Sequence, residues 1–235
     1  MSLAALKEEV LAANRRLADE GLARLTWGNV SGLDPEAGLV VIKPSGVAYA
    51  DLRVEDLVVL RLEDGSITKG ALRPSSDTPT HLALYRAWGR LGVRGICHTH
   101  SVHATMFAQA AREVPCLGTT HADHFFGPVP VCRALSPEEV RDDYEGLTGA
   151  AIVEHFAAGG LDPVAIPGVL QAYHAPFTWG ASPAAAVNNA LALETCAEMA
   201  LGTLRLSPGI EPLPAHLLEK HHFRKHGPGA YYGQK

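Results

Sequence analysis

The chain opens on an amphipathic pattern. Leu3, Leu6, Val10, Leu11, Asn14 and Leu17 recur at helical spacing with charges between them, and Gly21 stands where such a helix would stop. The period then shortens. "LTWGNVSG", "GLVVIKPSG" and "DLVVLRLEDGSITKG" are β-branched or apolar runs cut by Gly, Pro and Asp-Gly, which predicts successive strands with a hairpin at "EDGS". In "SSDTPTHLALYRAWGRLG" helical spacing returns, with Leu82, Tyr85 and Trp88 on one face, Pro79 near the first helical position and an Asp or Thr as cap.

"VRGICHTHS" predicts a strand, and "VHATMFAQAA" a helix leaving it. Ser136, Pro137 and Glu139 occupy capping-box positions at the start of a further helix. "PGVLQAYHAPFTWG" predicts one more strand ending in a turn. After it, "SPAAAVNNALALETCAEMALGTLRL" predicts a long helix capped by Ser182, apolar enough that burial on most sides is expected. A last helix, "PAHLLEKHHFRKHG", ends at Gly227 and leaves the tail "GAYYGQK". No repeat or long polar linker interrupts this order, so one α/β domain over residues 1–235 is expected.

Composition narrows the function classes. The chain has 235 residues, 47% of them hydrophobic, enough to bury a substantial core. Its net charge of -5 is scattered along the sequence, which excludes the basic stripe needed for nucleic acid or an anionic membrane and leaves a small-molecule partner. No apolar run reaches the roughly 20 residues of a membrane span, and charges break the apolar positions at the N-terminus, so a cytoplasmic location is expected. The four cysteines form no C-x-x-C pair and are expected as buried, reduced thiols.

The candidate chemistry lies in "GICHTHSVHATMFAQA". Strand alternation puts His98 and His100 on one side and Cys97 and Thr99 on the other. Two such imidazoles are half of a metal site, or else surface residues of an edge strand. A catalytic zinc site needs further N or O donors, for which His174 and Asp77 are candidates. From local sequence alone Asp77 reads first as a helix N-cap and only second as a ligand. His103 breaks the alternation and is expected to play a structural or ligand-orienting part, while His81, His155 and His216 are expected on helix surfaces.

Seven segments taken together, "TWGNVSG", "VIKPSGV", "PSSDTPTH", "HTHSVHAT", "GTTHADHFFG", "PGVLQAYHAPFTWG" and "KHHFRKHGPGAYYGQ", resemble the class II aldolase/adducin family, in order and from the first helix to the tail. The resemblance implies an α/β/α layered fold around a central mixed, largely antiparallel sheet. It also implies a divalent metal, Zn2+ or another such as Mn2+ or Co2+, held by Asp77, His98, His100 and His174. Ala175 departs from the pattern, in which Gly usually follows the third histidine.

Among family activities, the resemblance points to C4 inversion of a phosphorylated ketopentose, interconverting L-ribulose 5-phosphate and D-xylulose 5-phosphate. Aldolases of the family carry a glutamate where this chain has Asp77, which favours the epimerase; the alternative is an aldolase cleaving a sugar phosphate such as L-fuculose 1-phosphate. A non-catalytic scaffolding relative would lack the metal histidines. Metal-assisted hydrolysis would leave the phosphate loops and the tail without a role.

The hydrogen on C4 is not acidic, so inversion requires retro-aldol cleavage of C3–C4, rotation of the aldehyde and re-addition. One acid/base group is then needed for each face of the aldehyde. The resemblance assigns these parts to Asp123 and Tyr232, with His221 as a helper beside His222. It assigns phosphate and substrate binding to Gly28, Asn29, Ser45, Gly46, Ser75 and Ser76, with Lys43 as an added cation. A homotetramer whose Tyr232 comes from a neighbouring subunit completes the expectation.

Overall fold

The computed structural model describes residues 2–233. Helix α1 (Leu3–Asp19) begins where the Ser2 hydroxyl accepts from the Ala5 N–H, and it buries Leu6, Val10, Leu11, Ala13, Asn14 and Leu17. Gly21, at φ +69°, turns the chain away from its end. Four strands follow: β1 (Asn29–Asp34), β2 (Leu39–Ile42), β3 (Val58–Arg61) and β4 (Ile67–Lys69), the last two joined as the expected hairpin. Helix α2 (Thr78–Trp88) leads to β5 (Gly95–His98) and α3 (Val102–Gln109).

The second half contains a short helix α4 (Thr119–Ala122), strand β6 (Val131–Cys132) and helix α5 (Pro137–Gly159), which carries the predicted Ser136–Glu139 capping box. Then come β7 (Gly168–Gln171), β8 (Pro176–Gly180), α6 (Pro183–Leu206) and α7 (Ala215–Lys225). The strands form one sheet in the order β4-β3-β2-β1-β5-β8-β7-β6, antiparallel at every junction except β6–β7.

Alternation along the strands sorts the core into two faces. Val30 and Cys97 pack with Leu17 of α1 and Ala186, Val187 and Ala190 of α6. Leu33, Ile96, Phe177 and Trp179 point the other way, against Leu82, Tyr85 and Trp88 of α2 and Ile152 and Phe156 of α5. The result is the α/β/α layering expected from the family resemblance. All four cysteines are buried and unpaired, and no described helix is long and apolar enough to cross a membrane.

Three expectations need correction. "PGVLQAYHAPFTWG" is not one strand but an antiparallel pair, β7 and β8, because the turn at residues 172–175 interrupts the apolar run. Helix α6 is not buried on most sides: a stripe through Ala186, Ala190, Leu193, Ala197 and Ala200 is covered, whereas Met199 is 53% exposed and Leu206 89%. His81 is not a surface residue but fully buried, its Nδ1 2.7 Å from the Ser31 hydroxyl, which in turn lies 2.8 Å from the Tyr85 hydroxyl. A polar residue of β1 facing α2 supplies a partner that local helical periodicity does not reveal.

Candidate metal centre and active site

The centre forms where β1, β5 and β8 end together. Across the sheet, the Cα of His98 is in register with Asn29 on one side and Phe177 on the other. The His98 ring stacks on Phe177 with centroids 4.2 Å apart. Its Nδ1 lies 2.9 Å from the Pro176 carbonyl. A carbonyl only accepts, so Nδ1 donates to it and Nε2 is the nitrogen left to act as a ligand.

His174 enters from the β7–β8 turn, its Nδ1 3.3 Å from the Tyr144 hydroxyl. The residue before it, Tyr173, takes the left-handed backbone at φ +62°, and Ala175 does not, so the departure from Gly there costs no strain. His100 lies just beyond β5, with its ring centroid 5.0 Å from those of both His98 and His174. One ligand nitrogen from each of the three rings falls within 4.8 Å of the others. Burial, then the neighbouring His98, pushes His100 down to about 4; burial followed by His98 and His100 does the same to His174. Both rings are therefore neutral donors at ordinary pH. Three imidazoles converging in this way fit a divalent cation.

Asp77 flanks α2 but makes no side-chain cap bond. Its Oδ2 instead accepts from Asn29 Nδ2 at 2.6 Å and lies 3.3 Å from the Ser75 hydroxyl. Burial raises its carboxyl, but the neighbouring His98 and His81 and the Asn29 hydrogen bond outweigh burial and hold it below the ordinary carboxylate range. The geometry thus disfavours the capping role and leaves Asp77 an anion facing the same cavity as the histidines.

That cavity, about 360 Å³, is lined by His98, His100, His174 and Asp77 together with Gly28, Asn29, Lys43, Ser45, Gly46, Ser75 and Ser76. Two loops form one end of it. Pro44 bridges Pro74, the Ser45 N–H donates to the Arg73 carbonyl at 3.0 Å, and the Ser75 N–H donates to Lys43 at 3.0 Å. These bonds zip the loops together and use the amides of Ser45 and Ser75, while the Ser75 hydroxyl accepts from Asn29 Nδ2 at 3.0 Å and lies 3.3 Å from Asp77 Oδ2. Lys43 is 1% exposed, with its ammonium 3.2 Å from the Pro44 carbonyl and 5.0 Å over the Tyr49 ring. Burial lowers its pKa; an ammonium here calls for an anion.

Gly28 closes the loop against the centre. Its φ is +92°, and a Cβ would come within 2.6 Å of the His98 carbonyl oxygen, so only glycine permits this approach. The Tyr49 hydroxyl anchors the same turn through the carbonyls of Trp27 and Gly28.

The three expected proton-handling residues lie together elsewhere. Asp123, at the end of α4, receives Arg224 Nε at 2.9 Å and Arg224 NH2 at 2.5 Å, with His221 Nδ1 at 3.2 Å and Lys225 Nζ at 3.6 Å. Burial raises the Asp123 carboxyl, but Arg224, Lys225 and His221 outweigh it and keep it below its ordinary range. Tyr232 lies over Arg224 and Lys225, with ring centroid distances of 4.9 and 4.7 Å, and is 61% exposed. His221, not the buried His222, touches Asp123; His222 stacks on His226. None of Asp123, His221 and Tyr232 lines the histidine cavity.

Sequence reasoning missed several wall residues. Tyr144 and Glu145 line the cavity because α5 breaks at Asp143 (φ -158°, ψ 81°), whose Oδ1 accepts from the Gly146 N–H at 3.1 Å and restarts the helix. Asp, Tyr and Glu in mid-helix gave no local signal. Trp27 and Thr26 also face the cavity. His103 is anchored to Glu194 and is not among the three clustered imidazoles.

A family model for the class II aldolase and adducin N-terminal domain matches residues 8–201. The chain belongs to the class II aldolase and adducin family. Curated family relatives include the L-ribulose-5-phosphate 4-epimerases UlaF of Salmonella paratyphi A and Salmonella typhi, each 52% identical over 98% of this chain and 99% of the relative. Similar solved structures include an L-fuculose 1-phosphate aldolase, at TM-score 0.78 and 23% identity over 95% of this chain and 97% of that one. YgbL from Klebsiella pneumoniae matches at TM-score 0.74 and 25% identity, over 94% and 100% of the two chains. The aldolase likeness shows the shared family fold.

Proposed function

We propose that this protein is an L-ribulose-5-phosphate 4-epimerase, interconverting L-ribulose 5-phosphate and D-xylulose 5-phosphate. The carrying observation is that a three-histidine cluster opens into the same cavity as a buried lysine and two zipped serine loops. The 52% identity to named epimerases over nearly the whole chain supports the same substrate.

Ser45, Ser75, Ser76 and Lys43 bind the phosphate, and Asn29 orients both Ser75 and Asp77. His98, His100 and His174, with Asp77, would hold a divalent cation, Zn2+ or a similar ion, supplying Lewis-acid stabilisation of several kcal/mol for the charge that develops as C3–C4 cleaves. Asp123 and Tyr232 serve opposite faces of the aldehyde. One takes the C4 hydroxyl proton as C3–C4 breaks, and the other returns a proton to the C4 oxygen after rotation and re-addition. His221 holds Asp123 in place.

Since the proton-handling cluster does not line the cavity of its own chain, it completes a neighbour's, in a homotetramer. The rim of the cavity supports such docking. Trp27, which lines it, is 52% exposed, and Tyr173 (70%) and Leu25 (74%), next in sequence to the lining residues His174 and Thr26, are exposed on left-handed backbone that bulky residues seldom adopt.

The test is incubation of the metal-loaded protein with L-ribulose 5-phosphate, following D-xylulose 5-phosphate and free aldehyde together beside a chelated control. Chelator-sensitive D-xylulose 5-phosphate without aldehyde is expected. Stoichiometric aldehyde would make the protein an aldolase, and no turnover would overturn the substrate assignment.

A further inference from the structure

The three clustered histidines are not held alike. The His98 ring is fixed by the Pro176 carbonyl and that of His174 by the Tyr144 hydroxyl, whereas no hydrogen bond among the described residues fixes the ring of His100. Its placement rests on backbone. That backbone leaves β5, passes through Ser101 and enters α3 at Val102, so whatever fixes the first turn of α3 fixes His100.

The first turn of α3 is held in an unusual way. The first amides of a helix lack intrahelical acceptors and are ordinarily capped by the residue that precedes the helix. Ser101 occupies that position but makes no cap bond, and its buried hydroxyl has no partner. The Glu194 carboxylate of α6 takes over. It accepts from the His103 amide at 2.9 and 3.1 Å, from the Ala104 amide at 3.0 Å and from His103 Nδ1 at 2.8 Å.

The carboxylate comes from some 90 residues further along the chain, on a helix that also packs against β5 and β8, the strands that carry His98 and follow His174. Placed at a helix N-terminus, its negative charge also complements the macrodipole. Glu194 and its partner His103 are mostly buried, with side chains 16% and 28% exposed. The clamp therefore ties the otherwise unsupported metal-site histidine to the element that backs the other two.

We infer that Glu194 is a positioning residue for the metal centre, setting the approach of His100 through the first turn of α3. This rests on the metal-site reading above. The Glu194–His103 pair consequently acts on metal affinity without itself reaching the ion.

The experiment compares Co2+ affinity and apo-protein melting temperature for the wild type, Glu194→Ala, Glu194→Gln and, as a control cap, Ser2→Ala. Removing a support of this kind is expected to weaken Co2+ binding by roughly 10- to 100-fold in Glu194→Ala. In Glu194→Gln, which retains one acceptor oxygen, a smaller loss is expected. The Co2+ absorption bands should shift in both, as the nitrogen donors reorient. Ser2→Ala, which removes the cap of α1, should lower the melting temperature and leave Co2+ affinity unchanged.

Wild-type Co2+ affinity in folded Glu194→Ala or Glu194→Gln, even with a lowered melting temperature, would reduce Glu194 to an ordinary helix cap and overturn the inference. Absence of Co2+ binding in the wild type would overturn the metal reading itself, and this inference with it.

Discussion

The histidine cavity and the Asp123 cluster both carry charged, ligand-competent side chains, but the chain builds them on opposite terms. Cavity residues sit at the ends of central strands, in register, with their rings backed by Phe177, the Pro176 carbonyl and Tyr144. The Asp123 cluster lies between a four-residue helix and a terminal one, tied by ion pairs, and Tyr232 is largely in solvent. The histidines of the first gather within one chain. The second lines no part of that cavity, which is what the proposed delivery to a neighbour requires.

The strongest way to break this contrast is to remove the intrinsic half. His98→Ala should retain the fold, lose stoichiometric metal and lower turnover by about a thousandfold or more, since several kcal/mol of charge stabilisation disappears; metal analysis with kcat/KM checks it. Loss of the delivered half should cost less. Tyr232→Phe and Asp123→Asn are each expected to reduce turnover by about 10²- to 10⁴-fold with metal content unchanged.

Mixing His98→Ala with Tyr232→Phe under subunit exchange sharpens the comparison. Each variant alone should keep only the low residual turnover expected above, and their mixture should exceed it if Tyr232 acts in a neighbour's cavity. No recovery in hybrid oligomers of verified composition would place Tyr232 in its own chain's site.

Smaller effects test the supports. Lys43→Met should weaken substrate phosphate binding by about ten- to a hundredfold, seen mainly in KM, because one charge-assisted bond is lost. Gly28→Ala imposes a strained φ and a clash with the His98 carbonyl, for a loss of roughly 1–3 kcal/mol in denaturant unfolding.

The mildest effect is that of acid on the delivered half. The folded Asp123 carboxyl lies below its ordinary value near 3.9, so its contribution is complete above that pH and is lost as pH falls through the folded value. Limited proteolysis should find α7 firmly docked from neutrality down to about pH 4 and loosening only below.

Much of the contrast was legible in the chain itself. Helix α1, the "EDGS" hairpin and the Ser136 capping box are encoded by neighbours in sequence, so local pattern was enough. The same-side placement of His98 and His100 followed from strand period, even though β5 ends at His98. His174 was found as a ligand candidate, but not the turn that carries it, because "VLQAYHAPFTW" reads as a continuous apolar run. His81, Tyr144 and Glu194 were illegible as site neighbours. Their positions depend on a serine of β1, a break inside α5 and a helix packed from the far side of the sheet.

The strand register at Asn29, His98 and Phe177 has a consequence for how the molecule reaches its native state. Slipping β5 by one residue would turn Cys97 toward the cavity and His98 toward α6. A chain so misassembled would present a thiol in place of an imidazole. A divalent ion held by the three histidines would favour, by mass action, the register that presents His98 to the cavity.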